Sequence, residues 1–123
     1  MKKLARSFGF AFRGIWVTLK SQRHFRLHII ALVVAIAIGV YVGLEVLAWG
    51  LVLFAIGFVL VAELFNTAME HLGDEASGGK QSELIRNAKD IAAAAVLLSA
   101  ATALVIGILV LFVPLVKKLI DLF

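Results

Sequence analysis

Apolar residues run almost unbroken from Ile29 to Ala62, and Gly43-Leu44-Glu45 is the only polar interruption. A membrane-spanning helix needs about 20 residues, so one helix cannot use the whole stretch. The interruption divides it into two antiparallel spans, 28–43 and 46–72, joined by a short outer turn. The first is short and borrows length from the residues before it. Gly73, Gly78 and Gly79 predict the end of the second span and a loop of mixed charge. A third apolar run covers 84–113, where Val113-Pro114 predicts its stop. The amphipathic tail LVKKLIDLF then finishes on the outer side.

Upstream, Leu4, Phe8, Ala11, Phe12, Ile15 and Leu19 recur at helical spacing, while Arg6, Arg13 and Lys20 recur every seven residues on another face. That pattern predicts an amphipathic helix lying on the membrane surface, continued by a short arm over residues 1–27. The expected fold is an all-α membrane protein: this surface helix plus three transmembrane helices, in one domain over 1–123 without internal repeats.

Composition narrows the class further. The chain is 63% hydrophobic and 16% charged, against about 45–50% apolar and roughly a quarter charged for soluble domains. So few polar residues cannot cover a small soluble globule, and the apolar content excludes disorder. There is no cysteine, hence no disulfide framework and no thiolate nucleophile or metal ligand. Seven basic residues (Lys2, Lys3, Arg6, Arg13, Lys20, Arg23, Arg26) and no acid precede Glu45, which predicts a cytoplasmic N-terminus. Three spans then put the 73–88 loop in the cytoplasm, in keeping with its polarity. A basic arm can bind nucleic acid, but directly before a span it is read as meeting anionic headgroups, with no nucleic-acid partner. The arm is too long for a signal peptide, and no small-residue cleavage pattern follows the apolar run.

Candidate chemistry sits in the last third of the second span. Glu63, Asn66, Glu70 and Asp74 follow at intervals of 3, 4 and 4, so their directions fall within about an 80° arc. Ionisable groups at membrane depth are costly and face a bundle interior or a watery cleft. One reading of this stripe is a polar lock between helices. The other, which three acids and an amide ending at a cytoplasmic loop favour, is a cation or phosphate site, because hard oxygen ligands suit magnesium bridging nucleotide phosphates. Glu63 is deepest, and Glu70 lies about 10 Å nearer the water by helical rise. Lys89-Asp90 opens the third span beside the stripe, either as a charged helix start or to neutralise and order phosphate. The loop GDEASGGKQ is not a P-loop, since Lys80 follows Gly79 but precedes Gln81 rather than Ser or Thr. His71 falls on another helix face, and His24 and His28 are read as interfacial.

The segment E-L-F-N-T-A-M-E-H-L-G-D from Glu63 to Asp74, followed by Ala88-Lys89-Asp90 and an alanine-rich run, resembles the small prokaryotic diacylglycerol kinase/undecaprenol kinase family. Phe8, Ala11 and Gly14 (F-x-x-A-x-x-G) and Arg23 to His28 (R-x-F-R-x-H) extend the resemblance over about residues 5–114. The arm and Asn66-Thr67 look closer to the Gram-positive undecaprenol kinase branch. The resemblance implies a homotrimer in the bacterial inner membrane with composite sites at the cytoplasmic interface. It implies phosphoryl transfer from ATP, with Mg2+, to a membrane lipid alcohol, undecaprenol or diacylglycerol. Glu63 would be the catalytic base and Glu70 a metal ligand, with Asn66, Asp74, Lys89 and Asp90 ordering phosphates and site; Lys3 and Phe10 fall where the family contacts nucleotide. One position departs: Gln22 stands where a second metal-binding Glu is expected, and an amide oxygen brings no negative charge. Outside this family, the same stripe would serve a non-catalytic membrane subunit or a small transporter.

Overall fold

The N-terminal helix and the first long apolar helix are separated by one extended residue. Helix α1 (Lys2–Ser21) ends at Gln22, whose φ of −107° and ψ of 115° lie outside the helical region, and helix α2 (Arg23–Val42) begins at once. The break is held from the far side: Arg26 Nη1 donates to the carbonyls of Leu19 and Lys20 at 3.0 and 3.1 Å. Those are terminal carbonyls of α1 without helical partners, and a cation is favourable at the negative end of a helix. Phe25, near the start of α2, is buried. The start of α2 at Arg23 supplies the length that the 28–43 reading lacked, giving about 30 Å of helix.

Helix α2 ends on Gly43 at φ 80°, the left-handed cap for which glycine is suited, with the Gly39 carbonyl accepting from both Gly43 and Leu44. Helix α3 (Val46–Ser77) follows and is 32 residues long. At about 48 Å it exceeds the roughly 30 Å hydrocarbon thickness, so its polar last third reaches toward water. It passes through Gly73 and stops at Gly78 (φ 51°) instead. Gly73 has a different use: a Cβ there would lie 3.1 Å from Lys89 Cδ and 3.3 Å from Ile85 Cγ2, so its bare backbone admits the next helix. Helix α4 (Glu83–Gly107) is capped by Ser82, whose Oγ accepts from Ile85 N.

The expected stop at Val113-Pro114 is corrected. The helix continues through a wider turn over Ile108–Phe112 into α5 (Val113–Ile120). Pro114 has no N–H and its ring crowds the preceding turn. Widening to i→i+5 bonding, seen in Val113 N–H to the Ile108 carbonyl, absorbs that misfit without breaking the axis. Beyond it, Lys118 Nζ donates to the Tyr41 carbonyl and lies 4.7 Å from the centre of the Tyr41 ring, tying the ends of α2 and α5 together.

Among the described residues, 1–80 and 82–122 of this computed structural model, the chain is all-helical, and α2, α3 and the continuous α4–α5 rod are each long and apolar enough to cross a membrane. Gln81 and Phe123, the last residue of the tail, lie outside them. α3 is the central element. Its buried face is Val52, Ala55, Val59, Glu63 and Thr67, one stripe at intervals of three and four, and its main neighbour is α4, where fully buried Ser99 permits close approach. Gly39 fits under Trp49: an added Cβ would stand 2.7 Å from Trp49 Cη2. Within this chain the Gly39/Gly43 pair therefore serves packing and capping. Gly39→Val should cost about 1–3 kcal/mol by overpacking. Unfolding in mixed detergent micelles followed by circular dichroism checks this, and an unchanged midpoint would show that the Trp49 ring yields freely.

Candidate active site

The start of α2, the end of α3 and the start of α4 meet on one side of the molecule, and the polar stripe of α3 runs through that meeting point. At its deepest position Glu63 is 3% exposed. Its Oε1 is 3.3 Å from His28 Nε2, and Thr67 Oγ1 donates to its main-chain carbonyl at 2.9 Å. Two turns further toward the α3 C-terminus, Glu70 is held at both carboxylate oxygens. Gln22 Nε2 donates to Oε2 at 2.9 Å and Asn66 Nδ2 to Oε1 at 3.4 Å. Gln22 reaches it because the α1–α2 break falls at that residue. One turn on, Lys89 Nζ donates to Asp74 Oδ1 at 2.8 Å, its stem lying over Gly73.

Of the sequence-predicted residues, the structure brings Gln22 and Asn66 onto Glu70 and Lys89 onto Asp74, and leaves Glu63 apart from both pairs, against His28. Phe10 borders a groove of about 590 Å³ between α1 and α3, shared with Gly14, Thr18, Thr67 and His71. Lys3 and Asp90 are exposed, and among the described residues neither side chain hydrogen-bonds or ion-pairs with the rest of the site. His28 corrects the reading of a merely interfacial residue: starting α2 at Arg23 turns it onto α3, against Glu63. Its only sequence signal is the last letter of R-x-F-R-x-H.

A second cavity leads to the same place. An apolar cleft of about 470 Å³ runs between α2, α3 and the α4–α5 rod, past Ala35, Ala55, Ala103 and Gly107. His28 is its polar end.

A family profile described as prokaryotic diacylglycerol kinase matches residues 9–111. The chain belongs to that family. It is 36% identical over 114 residues to the undecaprenol kinase of Bacillus subtilis, covering 93% of this chain and 91% of that one. It is 35% identical, over 93% of its own length and 65% of the relative's, to a diacylglycerol kinase of Synechocystis. The diacylglycerol kinase of Escherichia coli is 24% identical over 84% of each chain.

A lipid kinase must join a water-borne phosphoryl donor to a membrane-borne acceptor. Phosphoryl transfer asks mainly for positioning and charge neutralisation. Lys89 brings a cation to the water-facing end. A divalent metal of the kind kinases use can be held by one or two carboxylates, completed by phosphate oxygens and waters. Among the described residues no group of three or more His, Asp or Glu converges on a point. The donor set nonetheless suits such an ion: Glu70 is the carboxylate, and Asn66 Oδ1, buried and without a hydrogen-bond partner, is a spare hard oxygen beside it. Gln22 Oε1 is a further amide oxygen on the same group. Without a cation, Gln22→Glu sets two carboxylates against each other in place of a hydrogen bond. This variant should melt below the parent in chelator and gain more than the parent when magnesium and nucleotide are added. It should also need less magnesium for half-maximal activity. Thermal scans and magnesium titrations of both forms at fixed ATP test this; parallel responses would place residue 22 outside the metal's reach.

Proposed function

We propose that this lipid kinase transfers the γ-phosphoryl group of ATP, with Mg2+, to undecaprenol or a similar long-chain membrane alcohol on the cytoplasmic face of the bacterial inner membrane. The observation that carries the reading is the junction at His28 and Glu63. An apolar cleft open to the membrane ends there, and the polar stripe toward water begins there. A lipid whose chain lies along the cleft brings its hydroxyl to Glu63, while the nucleotide approaches from the Glu70 and Lys89 end.

In the reaction the lipid hydroxyl oxygen forms a bond to the γ-phosphorus. Its proton passes to the Glu63 carboxylate, and the bond to the β,γ-bridging oxygen breaks with its electrons leaving on ADP. Glu70, with the amide oxygens of Asn66 and Gln22, would hold magnesium, which when bound offsets negative charge on the phosphates. Lys89, held by Asp74, adds a fixed cation, and Asp90 orders the same helix start. Phe10, in the α1–α3 groove, and Lys3 contact the nucleotide from α1, which lies along the membrane surface. The basic excess before Glu45 supports a cytoplasmic N-terminus and hence a cytoplasmic site. The similarity to the Bacillus enzyme along nearly its full length supports undecaprenol. The similarity to the Synechocystis enzyme supports diacylglycerol as the second reading.

The working unit in this reading is a homotrimer. Ala93, Ala94, Ala95 and Ala101 are exposed on α4, and small residues let helices of neighbouring copies approach closely. Crosslinking in bilayer nanodiscs should trap trimers; an active species that stays monomeric would refute the assembly.

Radiolabelled phosphate transfer from ATP, run side by side on undecaprenol and diacylglycerol, tests the substrate. Label should accumulate faster in undecaprenol, and preference for diacylglycerol would exchange the two readings. Glu63→Gln should lower turnover on the order of 10²-fold or more, the usual contribution of a general base, with helix content and membrane insertion unchanged. Near-parental turnover at saturating ATP and lipid would remove Glu63 from the chemistry.

A further inference from the structure

The Glu63 carboxylate has few neighbours able to hold it. Asn66 spends its amide on Glu70, and Thr67 spends its hydroxyl on the Glu63 carbonyl. Among the described residues the one polar side chain that reaches the carboxylate is His28, through Nε2 to Oε1 at 3.3 Å. The Glu63 side chain is 5% exposed and that of His28 is 28% exposed, so the pair is screened by protein on the carboxylate side and open on the imidazole side. That open side is the end of the apolar cleft. The His28–Glu63 contact is at ion-pair distance on Oε1, and among the described residues no side chain hydrogen-bonds to Oε2.

We propose that His28 is a positioning residue for phosphoryl transfer. Its imidazole, 3.3 Å from Oε1 of Glu63 and at the end of the apolar cleft, holds the carboxylate beside that end, so that Oε2 is left to take the proton of the incoming lipid hydroxyl. The inference rests on Glu63 as the base. His28 itself neither binds nucleotide nor receives the proton; it fixes the rotamer of the carboxylate. A misplaced reacting group costs on the order of 10²-fold in rate, which sets the size of effect to look for.

Steady-state kinetics of the full chain in nanodiscs, with the alcohol substrate that serves best, distinguish this from packing. His28→Leu fills the space without a donor, whereas His28→Gln keeps an N–H of similar reach and does not titrate. His28→Leu should lower kcat on the order of 10²-fold with the KM for ATP little changed, and His28→Gln should recover most of that loss. In a Glu63→Gln background, His28→Leu should cause little further loss, because residues acting as a unit are not additive. Equal activity of the Leu and Gln variants would overturn the proposal, as would a loss confined to the KM for ATP or a full additional loss in the Glu63→Gln background. If Glu63→Gln alone keeps parental turnover, the base assignment itself fails; if it is inactive while the Leu and Gln variants match, only the role of His28 fails.

Discussion

A carboxylate buried in the apolar seam of a membrane helix is the constraint around which the remaining structure is arranged. Val52, Ala55 and Val59 define the face that α3 turns inward, and Glu63 is the next residue on that face. An unpaired ionised group in such surroundings is unfavourable by far more than a small domain's net stability. The neighbouring polar group that meets it is on α2, where His28 Nε2 stands 3.3 Å from Oε1, and that contact depends on where α2 starts. The extended geometry of Gln22 and the Arg26 caps on Leu19 and Lys20 are the local means by which that start is set. Moving the break by one residue would rotate His28 about 100° away from Glu63.

The same break delivers Gln22 to Glu70. One corner of the chain therefore positions a partner for each of the two acids most central to the site. Two turns of α3 separate those acids, which under the proposed function would set the proton acceptor in the apolar zone and the phosphate-facing group near water, divided by depth along the helix rather than by a closed protein cavity. This is how a chain of 123 residues with few buried side chains can still build a site of distinct environments.

Much of this was legible in the pattern of residues, for definite reasons. The turn at Gly43-Leu44-Glu45 was readable because a charge interrupts an apolar run beside a glycine free to adopt the left-handed cap. The stripe from Glu63 to Asp74 was readable because helical periodicity alone places its members on one face. The Gln22–Glu70 contact spans 48 residues, and periodicity cannot supply the rotation of one helix against another; it came into view only through family resemblance. His28 was missed for that same reason. Pro114 misled in the opposite direction: the rule that proline ends helices presumes a regular i→i+4 ladder, and the turn at Ile108–Phe112 is not regular. Gly73 likewise looked like a terminator, when the feature that matters is the space its missing side chain leaves for Lys89 and Ile85.

The amide at position 22 also has a consequence that a carboxylate there would not share. A glutamine side chain has a donor and an acceptor at nearly the same place, exchanged by a half-turn about its last bond. Nε2 faces Glu70 and satisfies one of its oxygens. Were Glu70 to hold a cation, as proposed, Oε1 of Gln22 would be a further hard oxygen for it. A glutamate at that position offers only acceptors, so it would strengthen the charged state and leave the uncharged state with two opposed anions. Under the proposed function, glutamine would exchange cation affinity for a hydrogen bond to Glu70, avoiding an uncompensated pair of carboxylates at the α1–α2 corner from which His28 also meets Glu63.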